Sequence, residues 1–137
     1  MLENDLLDDT EANPAVAAVF DDIRTSRGDG AVNNFWRALA HDPKLLEATW
    51  ARMKATMMDS TPDGLDPFSK ELVYLAVSIA NGCIYCVHCH TAAARKLGMT
   101  EAQYADLLAV VAIASQTNAL ATELKVPVDD AYREPAE

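Results

Sequence analysis

The chain has 137 residues, half of them apolar, and carries a formal charge of −10 from 21 acidic and 11 basic side chains. That length suits one ordinary domain with a real core, and the sequence reads as a single domain over 1–137. The acidic balance argues against nucleic acid or an anionic membrane as a partner, since phosphate binding needs clustered Lys and Arg.

Glycine and proline are sparse and no alternating β-branched run stands out, so the expected class is all-α. The opening MLENDLLDDTEANP has neither the basic nor the apolar region of a secretory signal, and residues 1–12 read as acidic and frayed. PAVAAVFDDIRTS places Val16, Val19, Phe20 and Ile23 at helical spacing, and Gly28 and Gly30 close that segment. The RGD tripeptide at 27–29 reads as a turn. AVNNFWRALAHDP suggests a short helix ending before Pro43, with His41 near its end. PKLLEATWARMKATMM follows, with Leu46, Trp50, Met53 and Met57 on one core-facing stripe.

TPDGLDPFSK is a loop that starts a helix, with Asp66 as N-cap and Pro67 at the first helical position. SKELVYLAVSIA runs from there to Asn81-Gly82, a stop signal. Asn81 is placed to cap CIYCVHCHTAAARKL, which ends in Arg95, Lys96 and Gly98. The last helix opens at Thr100, with Gln103 completing a capping box and Met99 and Tyr104 a hydrophobic staple. It continues through AVVAIASQTNALATEL, rich in small and apolar residues around much of its circumference. That surplus, with the stripe on 44–57, predicts a homo-oligomer. The tail from 126 to 137 reads as extended or frayed. The longest mostly apolar stretch, LVYLAVSIANGCIYCV, is broken by Ser78, Asn81 and Gly82 and falls short of the roughly 20 residues a membrane span needs. The expected location is the cytoplasm, where closely spaced cysteines more often do chemistry or bind metal than hold a fold together.

The three cysteines and two of the three histidines lie within ten positions, NGCIYCVHCH at 81–90. At about 100° per residue, Cys83, Cys86 and His90 share an arc of roughly 60°, Cys89 lies about 60° further round, and His88 points nearly the opposite way. Glu71 interrupts an apolar run. On a continuous helix it would stand about 18 Å from Cys83. If the chain folds back at Asn81-Gly82, Glu71 and His90 are both about ten residues from the hinge and come level. A thiol, an imidazole and a carboxylate then stand in series. A helix N-terminus and a nearby imidazole favour the thiolate, the nucleophilic form. The carboxylate orients the imidazole and takes or relays its proton. Cys83, three residues from Cys86, is near enough to close a disulfide once Cys86 is oxidised.

Other readings compete. Zinc has Cys83, Cys86, Cys89 and His90 as donors, but all sit on one short helix, whereas a tetrahedral site usually draws on two elements. Neither a metal nor a cofactor is expected. Cys89 reads as a small buried hydrophobe and His88 as a surface residue. Glu71 could also be a surface acid paired with Lys70 or Arg95.

Glu71, eleven intervening residues, Cys83-x-x-Cys86, and three residues to His90 resemble the core of the alkylhydroperoxidase AhpD-like proteins of the carboxymuconolactone decarboxylase superfamily. The likeness runs from about residue 31 to 122. It implies an all-α fold built on an antiparallel helical hairpin that carries the CxxC motif, assembled as a trimer or hexamer. It also implies a thiol peroxidase that reduces a hydroperoxide and is recycled by an external thiol or dithiol reductant. In that family's terms Cys86 attacks, Cys83 resolves, and His90 with Glu71 relays the proton. One position departs from the pattern. The best-known peroxidase members have a histidine just before the second cysteine, where this chain has Tyr85. Tyrosine donates a hydrogen bond but is a poor base near neutral pH, so Tyr85 stands as an auxiliary position at which activity is reduced or redirected. The runner-up is a dithiol/disulfide oxidoreductase without peroxidase activity, or an oligomeric scaffold with a vestigial site.

Overall fold

The computed structural model describes residues 5–133. Among these residues the secondary structure is all helical: α1 (Pro14–Arg27), α2 (Asn34–Leu39), α3 (Pro43–Met57), α4 (Pro67–Ala80), α5 (Ile84–Lys96) and α6 (Glu101–Glu123), with a short 3-10 turn at Asp130–Tyr132. The chain forms two compact units, Met1–Asp59 and Ser60–Glu137.

In the first unit, Asn13 caps α1 by accepting the Val16 N–H, and Asp42 caps α3 by accepting the Leu45 N–H. A proline follows each cap where no intrahelical N–H is needed. Gly28 ends α1 at φ 73°, a left-handed conformation that glycine adopts without steric cost, so Gly28 and Asp29 of the RGD tripeptide lie in the turn and Arg27 closes the helix. Val16, Phe20 and Ile23 from α1, Trp36 from α2, and Leu46 and Trp50 from α3 make a continuous core, with Val19 and Met53 packed at its edge. Met57 is half-buried, outside that cluster. Trp36 and Trp50 meet edge to face, with ring centroids 5.2 Å apart. The Trp50 indole N–H donates to Asp22 at 2.7 Å, and the Lys54 ammonium donates to the same carboxylate at 2.9 Å. The indole and then the ammonium hold the Asp22 carboxyl below the usual carboxylate range. The segment before α1 has no helix but is tied to α2. The Leu7 N–H donates to the Arg37 carbonyl, and the Arg37 guanidinium donates back to the Leu7 carbonyl. Residues 1–4 and 134–137 of the expected frayed ends lie outside the described residues.

In the second unit, Asp66 caps α4 by accepting the Ser69 N–H at 2.9 Å. Helices α4 and α5 then form an antiparallel hairpin, and α6 packs along α4. The turn between the hairpin helices corrects one expectation. Asn81 closes the C-terminus of α4, its N–H donating to the Val77 carbonyl, and Cys83 is the N-cap of α5. Gly82, at φ 68°, takes the left-handed step between them, so the next helix cannot begin until Cys83 has returned to extended geometry. Leu75, Ala94 and Met99 are the buried centre, with Leu72, Ile79, Val87, Tyr104 and Leu107 packed against them. Met99 and Tyr104 both join this cluster, and Thr100 and Gln103 form the reciprocal capping box.

Helix α6 buries no residue fully, and Val110, Ile113 and Leu120 are more than half exposed. Among the described residues it is also the one helix long and apolar enough to cross a membrane by length and composition, although Gln103, Asp106, Gln116 and Asn118 interrupt it. An open apolar groove of about 370 Å³ runs between α4 and α6, lined by Leu72, Val73, Ala76, Leu107, Val110 and Val111.

Candidate active site

The hairpin brings the predicted residues together in two pairs. At the turn, Cys83 and Cys86 are joined as a disulfide, their Cα atoms 5.3 Å apart, as an i, i+3 pair at a helix start permits. The Cys83 sulfur also accepts the Cys86 N–H at 3.3 Å, so the first cysteine doubles as the cap of α5. Cys86 therefore lies in the first turn of a 13-residue helix, where the unpaired N–H groups and the helix dipole stabilise negative charge.

One turn further along α5, the His90 ring meets α4. Its Nδ1 lies 2.6 Å from Glu71 Oε2. A carboxylate can only accept, so Nδ1 carries the hydrogen, and in a neutral imidazole Nε2 is then the acceptor nitrogen. The His90 and Glu71 side chains are 12% and 15% exposed, which removes most of the water that would otherwise screen the pair. The equal distance of Glu71 and His90 from Asn81-Gly82 thus becomes a direct contact. Arg95, the competing partner for Glu71, pairs with Glu101 instead.

Tyr74 is the neighbour that the sequence reading passed over. Its ring stacks on the His90 imidazole, with centroids 3.6 Å apart and planes inclined by 21°. Burial, followed by the nearby Cys89 thiol and Glu71 carboxylate, pushes the Tyr74 phenol above its ordinary value, so the hydroxyl keeps its proton near neutral pH. The signal was available in the spacing. Tyr74 is three residues after Glu71, on the same face of α4 and one turn nearer the hinge.

The remaining candidates are spread around α5. Cys89 is half-buried and outside the bridge. His88 is exposed and lines a second groove with Ile79, Ile84, Val87, Tyr104 and Leu108. Ile84 and Tyr85, between the two cysteines, are both exposed. His41 lies in the first unit, its Nε2 3.5 Å from Asp5. Among the described residues no three or more His, Cys, Asp or Glu side chains are grouped to hold a metal ion.

The carboxymuconolactone decarboxylase family profile matches residues 43–128. The chain belongs to that family. Within it, the chain is AhpD-like. The alkyl hydroperoxide reductase AhpD of Azorhizobium caulinodans is 32% identical over 108 residues, 77% of this chain and 59% of that protein. Its counterpart in Maricaulis maris is 37% identical over 93 residues, 68% of this chain and 52% of that protein. The chain thus spans little more than half the length of these curated relatives. Its fold also matches the crystal structure of the alkylhydroperoxidase AhpD core from Rhodospirillum rubrum with a TM-score of 0.89. The two are 54% identical, over 96% of this chain and 97% of the other. The all-helical AhpD-like fold is therefore the shared framework, and in this chain it carries the Cys83–Cys86 pair.

Proposed function

We propose that this chain is a thiol-dependent peroxidase that reduces hydroperoxides through the Cys83/Cys86 pair, with Glu71 and His90 as the proton relay. In the reduced protein His90 Nε2 takes the Cys86 proton, and the imidazolium that results rests against the Glu71 carboxylate. The Cys86 thiolate attacks the terminal oxygen of the hydroperoxide. The O–O bond breaks, the S–O bond of a sulfenic acid forms, and the alkoxide leaves as an alcohol with the proton returned from His90. The Cys83 thiol then attacks the Cys86 sulfur and expels water, giving the disulfide. An external thiol or dithiol restores both thiols by exchange, a step suited to a reducing cytoplasm. The observation that carries this reading is one hairpin end holding a Cys83–Cys86 bridge and, one turn away, a shielded Glu71–His90 pair.

The alkyl hydroperoxide reductase names of the relatives favour the same chemistry. Tyr85 favours a second reading, a dithiol/disulfide oxidoreductase with little peroxidase activity, because a phenol replaces a base beside the attacking thiol. Consumption of hydroperoxide with a panel of dithiol donors separates the two. The peroxidase reading expects turnover that Cys86→Ser abolishes, and disulfide exchange without peroxide consumption overturns it. The same reading includes a homo-oligomer, a trimer or hexamer, with the exposed apolar face of α6 as the surface that assembly would cover.

A further inference from the structure

We propose that Tyr74 is a positioning residue for His90, holding the imidazole in one orientation and one tautomer through its ring face rather than its hydroxyl. The role in catalysis rests on the peroxidase reading, but the positioning itself does not. Two contacts from one face of α4 reach the same imidazole. Glu71 fixes it in the ring plane through Nδ1 at 2.6 Å, and Tyr74 covers it face-on at 3.6 Å between centroids. A single hydrogen bond leaves a side chain free to rock about that bond. A parallel ring at contact distance blocks the rocking, because any tilt drives imidazole atoms into the phenol.

The stacking geometry also fits a ring that becomes charged. Two neutral aromatic rings prefer offset or edge-to-face contacts with centroids 4.5–7 Å apart. A near-complete face-on overlap suits a cation over the negative face of a ring. When His90 takes a proton from a thiol, the imidazolium lies between a carboxylate in its plane and a phenol on its face. Tyr74 is itself anchored, since it belongs to an unbroken stretch of α4 in which Ser78 donates its hydroxyl back to the Tyr74 carbonyl at 2.8 Å. Burial keeps its hydroxyl protonated, so the phenol adds no charge to the site at neutral pH.

The test compares Tyr74→Phe, which keeps the ring, with Tyr74→Leu, which keeps an apolar side chain and loses it. In the disulfide form of the 15N-histidine-labelled full chain, where Cys86 has no proton to give, His90 should show ring protons displaced upfield by the stacked phenol and 15N shifts of a single Nδ1–H tautomer. Tyr74→Phe should keep both signatures. Tyr74→Leu should lose the upfield displacement, show averaged 15N shifts and, once reduced, alkylate Cys86 about threefold more slowly near neutral pH. Circular dichroism confirms that each variant is folded, and Tyr74→Trp provides a second ring-bearing variant. Wild-type 15N shifts in folded Tyr74→Leu would overturn the proposal, as would loss of the single tautomer in Tyr74→Phe. If the tautomer is lost in Tyr74→Leu while Cys86 alkylates at the wild-type rate there and in Glu71→Gln, the positioning of His90 stands and the relay to the thiol falls.

Discussion

The two units of this chain divide apolar and polar work differently. Unit 1 buries Phe20, Ile23, Trp36, Leu46 and Trp50 around one centre, and its charged groups lie at the rim. Unit 2 fully buries Leu75, Ala94 and Met99, leaves a 23-residue helix largely uncovered, and shelters a carboxylate and an imidazole between its hairpin helices. One region uses its large side chains on itself. The other buries few side chains fully, keeps apolar surface outside, and holds its cysteine pair at the hinge. A chain built this way should respond to substitution in opposite ways on its two sides.

The largest expected effect belongs to the hinge of unit 2. Cys83→Ser should end multiple turnover with hydroperoxide and trap Cys86 as a sulfenic acid after one equivalent, because the thiol that would expel water is gone. Trapping with dimedone and peptide mapping reads this directly. A sulfenate on Cys83 in Cys86→Ser, with none on Cys86 in Cys83→Ser, would reverse the two roles.

Next comes the core of unit 1. Phe20→Ala removes a side chain with 1% exposure and should cost about 3–5 kcal/mol in urea unfolding. Val110→Ala on α6, at a position 63% exposed, should stay within about 0.5 kcal/mol per chain. Val110→Asp should instead lower the mass seen by light scattering, if α6 forms the assembly surface. A monomeric wild type at micromolar concentration would remove the oligomer from the account and leave the face of α6 unexplained.

A smaller effect sharpens the boundary between core and rim. The carboxyl of Asp22 is held below the ordinary carboxylate range by the Trp50 indole and then the Lys54 ammonium. A depressed value in the folded state means that the stabilisation is present above the unfolded value and lost as pH falls through the folded one. Asp22→Asn should therefore lower the urea midpoint at pH 7, and the gap from wild type should close below about pH 4. A gap that persists undiminished at pH 2 would mean that the ionised carboxylate contributes nothing beyond its shape.

Much of this division was legible in the sequence, and the exceptions have physical causes. The starts of α4 and α6 were readable because Asp66 precedes a proline and Thr100 a capping partner, and each cap is a local contact. The Glu71–His90 contact was readable because a two-residue hinge makes register a matter of counting. The Asn81 cap was misplaced by two residues because the left-handed step at Gly82 delays the start of α5, and a cap pattern does not encode φ. Tyr74 escaped notice because a tyrosine in an apolar helix looks like core, and a ring stack depends on side-chain rotamers that spacing alone does not fix. The low central burial of unit 2 was visible only as the small-residue composition of α6.

The central claim is that the shielded Glu71–His90 pair sets the reactivity of the Cys86 thiol, and the rate of iodoacetamide alkylation of reduced protein against pH tests it most directly. Glu71→Gln keeps the shape and a hydrogen bond to His90 and removes the charge. Without the carboxylate the imidazolium loses its partner, less thiolate forms near neutral pH, and alkylation of Cys86 should slow about tenfold at pH 7, with the profile displaced to higher pH. Superimposable profiles for wild type and Glu71→Gln would contradict the relay and leave Glu71 a structural acid of the hairpin.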